Sequence, residues 1–219
     1  MDGAEENGEL AMAINGYAAG NLARIAREIG VVIIHYSTDY VFEGNKKEGY
    51  AEHDAPNPQS AYARSKFLGE QEVQKYADRY YIIRLSRLFG QPAKSEGAKK
   101  SFIDVMLKLA AERDSLDIVD EELGNPTYAP DLARRTKNII ENRLPCGIYH
   151  AANEGVCTWH EFAKEAFKIK NISIKTNPVP AGKFPRPARR PQYSSLLNTK
   201  LPPMRKWQEA LREYLGDGS

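Results

Sequence analysis

Between residues 9 and 29, apolar side chains recur at Leu10, Ile14, Tyr17, Leu22, Ile25 and Ile29, in steps of three to five. That spacing predicts one face of an amphipathic helix, closed by Gly30. Val31-Val32-Ile33-Ile34 follows directly, β-branched and without alternation. Continued through His35, it predicts a strand buried on both faces, as in parallel sheets. A polar loop with Pro56 and Pro58 leads to a helix over about 60–77, and Tyr80–Leu85 is the next strand. Ser101 with Asp104 forms a capping-box-like start for a helix over Phe102–Glu112. Leu116–Val119 predicts a short strand, Pro130–Asn142 a helix with proline in its first turn, and Gly147–His150 a strand. Thr158 and Glu161 give a second capping box, for a helix through Phe167. The five prolines of Pro178–Pro191 predict an ordered loop or linker, and a final helix spans about Pro203–Leu215. Alternating strands and helices mean an α/β fold with a largely parallel sheet. There is no internal repeat and no low-complexity tract.

The chain has 219 residues, 42% apolar and 27% charged, with a net charge of +2. That suits one large domain or two small ones, either able to bury a core. No apolar run approaches the roughly 20 residues that span a bilayer, so no membrane partner is expected. The first ten residues carry Asp2, Glu5, Glu6 and Glu9 and no basic residue, and no signal or transit peptide is read there. Cys146 and Cys157 form no CxxC pattern and histidine is scarce. Neither a disulfide framework nor a metal site is expected, and the cytoplasm is the default compartment. From Lys170 onward ten basic residues face only Glu209, Glu213 and Asp217. A basic end can serve nucleic acid, an anionic small ligand, or a solvated face. The spacings of the known nucleic-acid motifs are missing, so no nucleic-acid partner is expected.

Ser37-Thr38-Asp39 follows the first strand. In doubly wound sheets ligands bind beyond the carboxyl ends of strands, although Ser, Thr and Asp also serve simply as turn caps. Tyr62 and Lys66 stand four residues apart at the start of a helix, so their side chains leave the same face. A lysine ammonium beside a phenol favours the phenolate, which suits a tyrosine to general acid–base work. A buried strand, then Ser-Thr, then Tyr-x-x-x-Lys 24 residues on is a far more specific combination than any one part.

Ser37-Thr-Asp-Tyr-Val-Phe-Glu-Gly44 with Tyr62-Ala-Arg-Ser-Lys66 resembles the extended short-chain dehydrogenase/reductases, and within them the dTDP-4-dehydrorhamnose reductase family. Arg84-Leu-Ser-Arg-Leu-Phe-Gly90, Gly124-Asn-Pro-Thr-Tyr-Ala-Pro-Asp-Leu132 and Arg186-Pro-Ala-Arg-Arg-Pro-Gln-Tyr-Ser194 with Leu196 and Lys200 extend the resemblance along essentially the whole chain. It implies reduction of the 4-keto group of a dTDP-linked deoxysugar by NADPH, with NADH the alternative. Thr38, Tyr62 and Lys66 would be catalytic: Thr38 holding the carbonyl oxygen, Tyr62 protonating it, Lys66 binding the nicotinamide ribose. Tyr62 and Lys66 would thus also bind the cofactor. Thr38, Asp39, Tyr40, Phe42 and Arg87 would line the sugar site. Arg189, Arg190 and Ser194 would take the dTDP half, since arginine forks bind phosphate well. Asn15 stands where the superfamily often has a supporting asparagine.

The expected fold is a Rossmann-like doubly wound parallel sheet lacking its first strands, with a small C-terminal substrate-binding subdomain. Residues 1–90 and 127–152 would be the remainder of the NADPH-binding domain, and 91–126 with 153–219 the substrate-binding part. Two departures from the family pattern stand out. Arg87 replaces a tryptophan, which bears on the sugar taken. The Gly-x-x-Gly-x-x-Gly turn that holds the pyrophosphate does not occur, so the chain reads as N-terminally truncated. The strand Val31–His35 would then be an open, apolar edge. Two other readings stand beside the reductase. One is a non-catalytic binding module like the regulatory subunit of methionine adenosyltransferase. The other is an epimerase or dehydratase of the same superfamily, although dehydratases carry Asp-Glu after the threonine and here Asp39 precedes Tyr40. A homodimer is the assembly kept open.

Overall fold

The computed structural model describes residues 1–92 and 100–216; residues 93–99 and 217–219, Asp217 among them, lie outside the described part of the expected substrate-binding region. The N-terminal helical stretch runs through α1 (Asp2–Glu6), α2 (Gly8–Ala11), one π-helical turn (Met12–Tyr17) and α3 (Ala18–Glu28). Then come β1 (Ile33–Thr38), α4 (Ala61–Tyr76), β2 (Tyr80–Leu85), β3 (Leu88–Phe89) and α5 (Phe102–Glu112). The chain continues through β4 (Ser115–Val119), β5 (Thr127–Tyr128), α6 (Ala129–Glu141), β6 (Gly147–His150), α7 (Trp159–Ile169), β7 (Lys175–Val179) and α8 (Trp207–Leu215).

The main sheet is parallel, in the order β1-β2-β6. Ala19 and Ala23 of α3, Val73 of α4 and Ala77 just after it pack with Ile82 on one face. Leu132 and Ile139 of α6 pack with Tyr81, Ile83 and Tyr149 on the other. This is the three-layer α/β architecture expected for a Rossmann-like sheet. A separate core of Phe89, Ile103, Phe162, Trp207 and Leu211 joins α5, α7 and α8, beside the two-stranded sheet of β4 and β7.

The structure corrects the reading of the first helix. Leu10, Ile14, Tyr17, Leu22, Ile25 and Ile29 are all more than half exposed. The buried side consists of Ala11, Gly16, Ala19, Gly20, Ala23 and Ala26. Small residues let the backbones approach: a Cβ on Gly16 would lie 2.5 Å from Leu68, and one on Gly69 of α4 would lie 2.3 Å from the Asn15 carbonyl. The exposed stripe continues into Val31 and flanks β1, which has a partner on one side only. Among the described residues β1 is therefore an edge strand, and it begins two residues and ends three residues later than the expected Val31–His35.

Three further differences are local. β7 ends inside the stretch expected to be a loop; Pro178 is tolerated because β7 is paired on one side only. The two-residue ladder of β3 with β5 has too little periodicity to read. The last helix begins at Trp207, because Pro203–Lys206 runs extended and bridges to Glu154.

Candidate active site

The carboxyl end of β1 delivers Ser37 and Thr38, and a 3-10 turn (Asp39–Val41) follows. The Thr38 side chain caps that turn, accepting from the Tyr40 N–H at 3.3 Å. Ser60 caps α4, accepting from Ala63 N, and so sets where the first turn of α4 places Tyr62. Lys66 lies one turn further on, and its ammonium donates to the Tyr36 carbonyl of β1 at 2.6 Å. Asn15, in the π-helical turn, donates to Ser65 at 3.0 Å, and Ser65 donates to the Tyr62 carbonyl at 2.8 Å. A buried ion pair fixes α4 on the sheet: Arg84 donates through Nε and Nη2 to both oxygens of Glu70, at 2.9 and 2.6 Å.

Thr38, Asp39, Tyr40, Tyr62 and Lys66 are thus brought together. The Tyr40 and Tyr62 rings meet edge to face, 6.4 Å between centroids. Asp39 is only 3% exposed, and accepts from Thr38 Oγ1 at 3.1 Å and Ser86 Oγ at 2.8 Å. Burial pushes its carboxyl above the ordinary range, against the lowering by hydroxyls of Ser194, Ser86 and Thr38. The Tyr62 phenol is pushed up by burial and then by the Asp39 charge, and Lys66 is pushed down by burial. The depression of Tyr62 by Lys66 expected from their spacing is not found, since the ammonium is turned onto Tyr36.

Other expected site residues lie elsewhere. Phe42 belongs to the core, stacked on Tyr50 at 4.3 Å, because the chain turns inward after the 3-10 turn; this corrects its placement against the sugar. Arg87 has a positive φ of 45°, which turns its guanidinium away from the strand. Arg87 donates to the carbonyls of Cys157 at 2.8 Å and Glu122 at 2.6 Å, and lies 4.1 Å over the Trp159 ring. Arg190 grips both oxygens of Asp2. Arg189 is exposed beside Gln59, while Ser194 is buried and donates to the Leu123 carbonyl at 3.3 Å.

Sequence reading named Arg189 and Arg190 but missed the other residues that build the neighbouring cavities. A pocket of about 440 Å³ is walled by Phe102, Met106, Ile118, Trp159 and Phe184 and reaches Arg186. A second, of about 390 Å³, is lined by Arg186, Arg189 and Arg190 with Glu121 and Glu122. Glu122 is buried, accepting from Trp159 Nε1 at 2.8 Å and from Arg186. The Arg186-Pro-Ala-Arg-Arg run could have pointed to Arg186; nothing in the sequence separates Glu122 from Glu121. A groove of about 450 Å³ runs along β1 between Ile14 and Val31, ending at Asn15, His35 and Lys66. His35 Nε2 is buried there without a partner, and its imidazole is held down to about 4 by burial.

A comparison with family models matches residues 1–219 to "RmlD substrate binding domain". The chain is 36% identical over 225 residues to a dTDP-4-dehydrorhamnose reductase of Mycobacterium tuberculosis, spanning 98% of this chain and 72% of that protein. It is 34% identical over 223 residues to the spore coat polysaccharide biosynthesis protein SpsK of Bacillus subtilis, spanning all of this chain and 76% of that one. The crystal structure of dTDP-4-dehydrorhamnose reductase from Bacillus anthracis in complex with NADP superimposes with a TM-score of 0.92 at 34% identity, over 99% of this chain and 76% of that one. UDP-glucose 4-epimerase of Thermus thermophilus, at 20% identity and a TM-score of 0.78 over 100% of this chain and 74% of that one, shares the fold.

Proposed function

The chain belongs to the RmlD substrate-binding domain family, and from that premise we propose which of its residues carry out the reduction that dTDP-4-dehydrorhamnose reductases perform. The chemistry is NADPH-dependent reduction of the 4-keto group of dTDP-4-dehydrorhamnose, within dTDP-rhamnose biosynthesis. The observation that carries the assignment of roles is the meeting of Thr38, Tyr62 and Lys66 at the carboxyl end of β1.

NADPH supplies the hydride. The residues present suit its nicotinamide half: the groove along β1 ends at Lys66, one helical turn beyond Tyr62 on α4, and at His35, whose Nε2 is unpartnered. Among the described residues no glycine-rich turn follows a strand. Lys66 would hold the nicotinamide ribose, with two ammonium hydrogens left after its bond to Tyr36. Tyr62 would donate its phenolic proton to the oxygen as it becomes an alkoxide. Thr38 would hold that oxygen by a hydrogen bond, and Tyr40, edge-on to Tyr62, would bound the sugar.

We assign the nucleotide to the two cavities outside the sheet. The aromatic walls of the first suit a flat base, and Arg186, Arg189 and Arg190 in the second suit a diphosphate. Arg87, tied to the loops that frame these cavities, would orient them. Residues 1–90 and 127–152 would then serve the cofactor, and 91–126 with 153–219 the sugar nucleotide; the cores follow that division only in part, since Phe89 and Tyr128 pack with α5, α7 and α8 and Met204 packs with Tyr81 and Tyr149. A cytoplasmic place is supported by two unpaired cysteines; no described helix is long and apolar enough to cross a membrane.

The test is oxidation of NADPH on addition of dTDP-4-dehydrorhamnose, with dTDP-rhamnose identified as product. No turnover, with folding intact, would refute the assignment for this chain. Arg186→Ala is expected to weaken dTDP binding about 10- to 100-fold by calorimetry, the size of a charge-assisted hydrogen bond, and to leave NADPH binding unchanged. A change below about twofold would move the diphosphate away from Arg186.

A further inference from the structure

The Thr38 hydroxyl has one hydrogen and two acceptor positions. One acceptor position takes the Tyr40 N–H at 3.3 Å, and the hydrogen goes to Asp39 Oδ1 at 3.1 Å. A ketone oxygen offers only lone pairs, so Thr38 can hold it only by donating. In the arrangement seen, that hydrogen is already spent. An ionised Asp39 can do nothing but accept, and keeps it. A neutral Asp39 carries its own O–H, donates to Thr38, and frees the threonine hydrogen to point at the ketone.

The surroundings are built for such an exchange. Asp39 Oδ2 accepts from Ser86 at 2.8 Å, so the carboxyl stays in place whichever state it is in. Ser86 is itself held by its carbonyl, which accepts from Thr127 Oγ1 at 2.5 Å. The groups facing Asp39 are Thr38 and Tyr40 from its own turn, Tyr62 from α4, Ser86 and Arg87 beyond β2, and Ser194 from the C-terminal segment. The nearest cation, Arg87, is spent on two carbonyls, Arg190 on Asp2, and Glu122 on Arg186 and Trp159. Among the described residues no cation donates a hydrogen bond to Asp39.

We propose that Asp39 is a positioning residue for the reduction: as the neutral acid it turns the Thr38 hydrogen towards the substrate ketone, and as the carboxylate it withholds it. This rests on the reading of Thr38 given above. Burial raises the carboxyl towards neutrality, and neutral Asp39 also removes a charge that holds back the Tyr62 proton. Both effects favour the reaction in the same protonation state.

The test compares the native chain with Asp39→Asn and Asp39→Ala in turnover against pH, and in calorimetry of dTDP-4-dehydrorhamnose binding, without NADPH, in buffers of different ionisation enthalpy. Native turnover is expected to fall as pH rises through the Asp39 transition, above the ordinary carboxylate value of ~4. With its oxygen accepting from Ser86 as Asp39 Oδ2 does, the amide of Asp39→Asn turns its NH₂ to Thr38 and mimics the neutral acid. That variant should keep turnover within about threefold of the native low-pH limit and lose the falling limb. Asp39→Ala removes both the acceptor that withholds the Thr38 hydrogen and the donor that aims it, so it should also lose the falling limb and should turn over more slowly than Asp39→Asn at every pH. Above the transition, native binding should take up a proton and Asp39→Asn binding should not; His35, which faces the β1 groove, is unchanged in both. An Asn variant as poor as the Ala variant, or native binding without proton uptake, would overturn the proposal. Proton uptake in a chain that fails to reduce the sugar would support Asp39 in this role and count instead against the assigned reaction.

Discussion

Tyr62→Phe is expected to lower kcat by roughly 10²- to 10⁴-fold, the range for loss of a positioned proton donor, with KM for the sugar nucleotide nearly unchanged. The phenyl ring keeps its edge-on contact with Tyr40, 6.4 Å between centroids, so the walls of the site stay in place. What disappears is a hydroxyl beside the oxygen that becomes an alkoxide. Burial and the Asp39 charge push the Tyr62 phenol up, so in the free protein it carries its proton throughout the neutral range and is ready to donate it. Steady-state kinetics, with dTDP binding measured separately, read the split between kcat and KM. A variant within about fivefold of the native kcat would remove Tyr62 from the proton transfer.

Glu70→Ala is expected to be the most damaging substitution away from the reacting groups, costing about 3–5 kcal/mol. Glu70 and Arg84 are both essentially unexposed. Removing the carboxylate leaves a guanidinium in the core, 5.0 Å over the Phe42 ring and beside the buried His150, and its Nη1 already lacks a partner. The pair joins α4 to β2, so the same change loosens the helix that carries Tyr62 and Lys66. For a chain of this size the loss corresponds to a fall in Tm of roughly 6–20 °C, read by circular dichroism with urea titration as a second measure. Glu70→Gln keeps an acceptor for one of the two bonds and should lose less. A fall below about 1 kcal/mol for the alanine variant would mean that water reaches Arg84.

The parts of this fold that could be read in the sequence are those determined over a few residues. Ser60, Ser101 with Asp104, and Thr158 with Glu161 act within one turn, and the helices they cap begin where they indicate. Thr38, Tyr62 and Lys66 were legible because a strand end and a helix start fix their directions. What escaped depends on distant partners. The stripe from Leu10 to Ile29 has helical periodicity, but periodicity does not say what covers a face, and here alanines and glycines pack against α4. The environment of Asp39 comes from Ser86 and Ser194, far along the chain, and burial there overrides the effect expected of Lys66 on Tyr62. Phe42 lay in a motif read as sugar-facing, yet its ring fills the core beneath Arg84.

The edge position of β1 has a thermal consequence. Within residues 1–219, β1 is paired only with β2, whereas β2 is paired with both β1 and β6, so in this chain β1 opens at lower free energy than the rest of the sheet. Thr38 is its last residue, and the Lys66 ammonium is anchored on its Tyr36 carbonyl. Fraying of this one strand therefore dismantles the site while α6, α7 and the second core stay folded. On heating, turnover should vanish several degrees before the helical signal does, and backbone amides of Ile33–Thr38 should exchange with deuterium faster than those of Tyr80–Leu85.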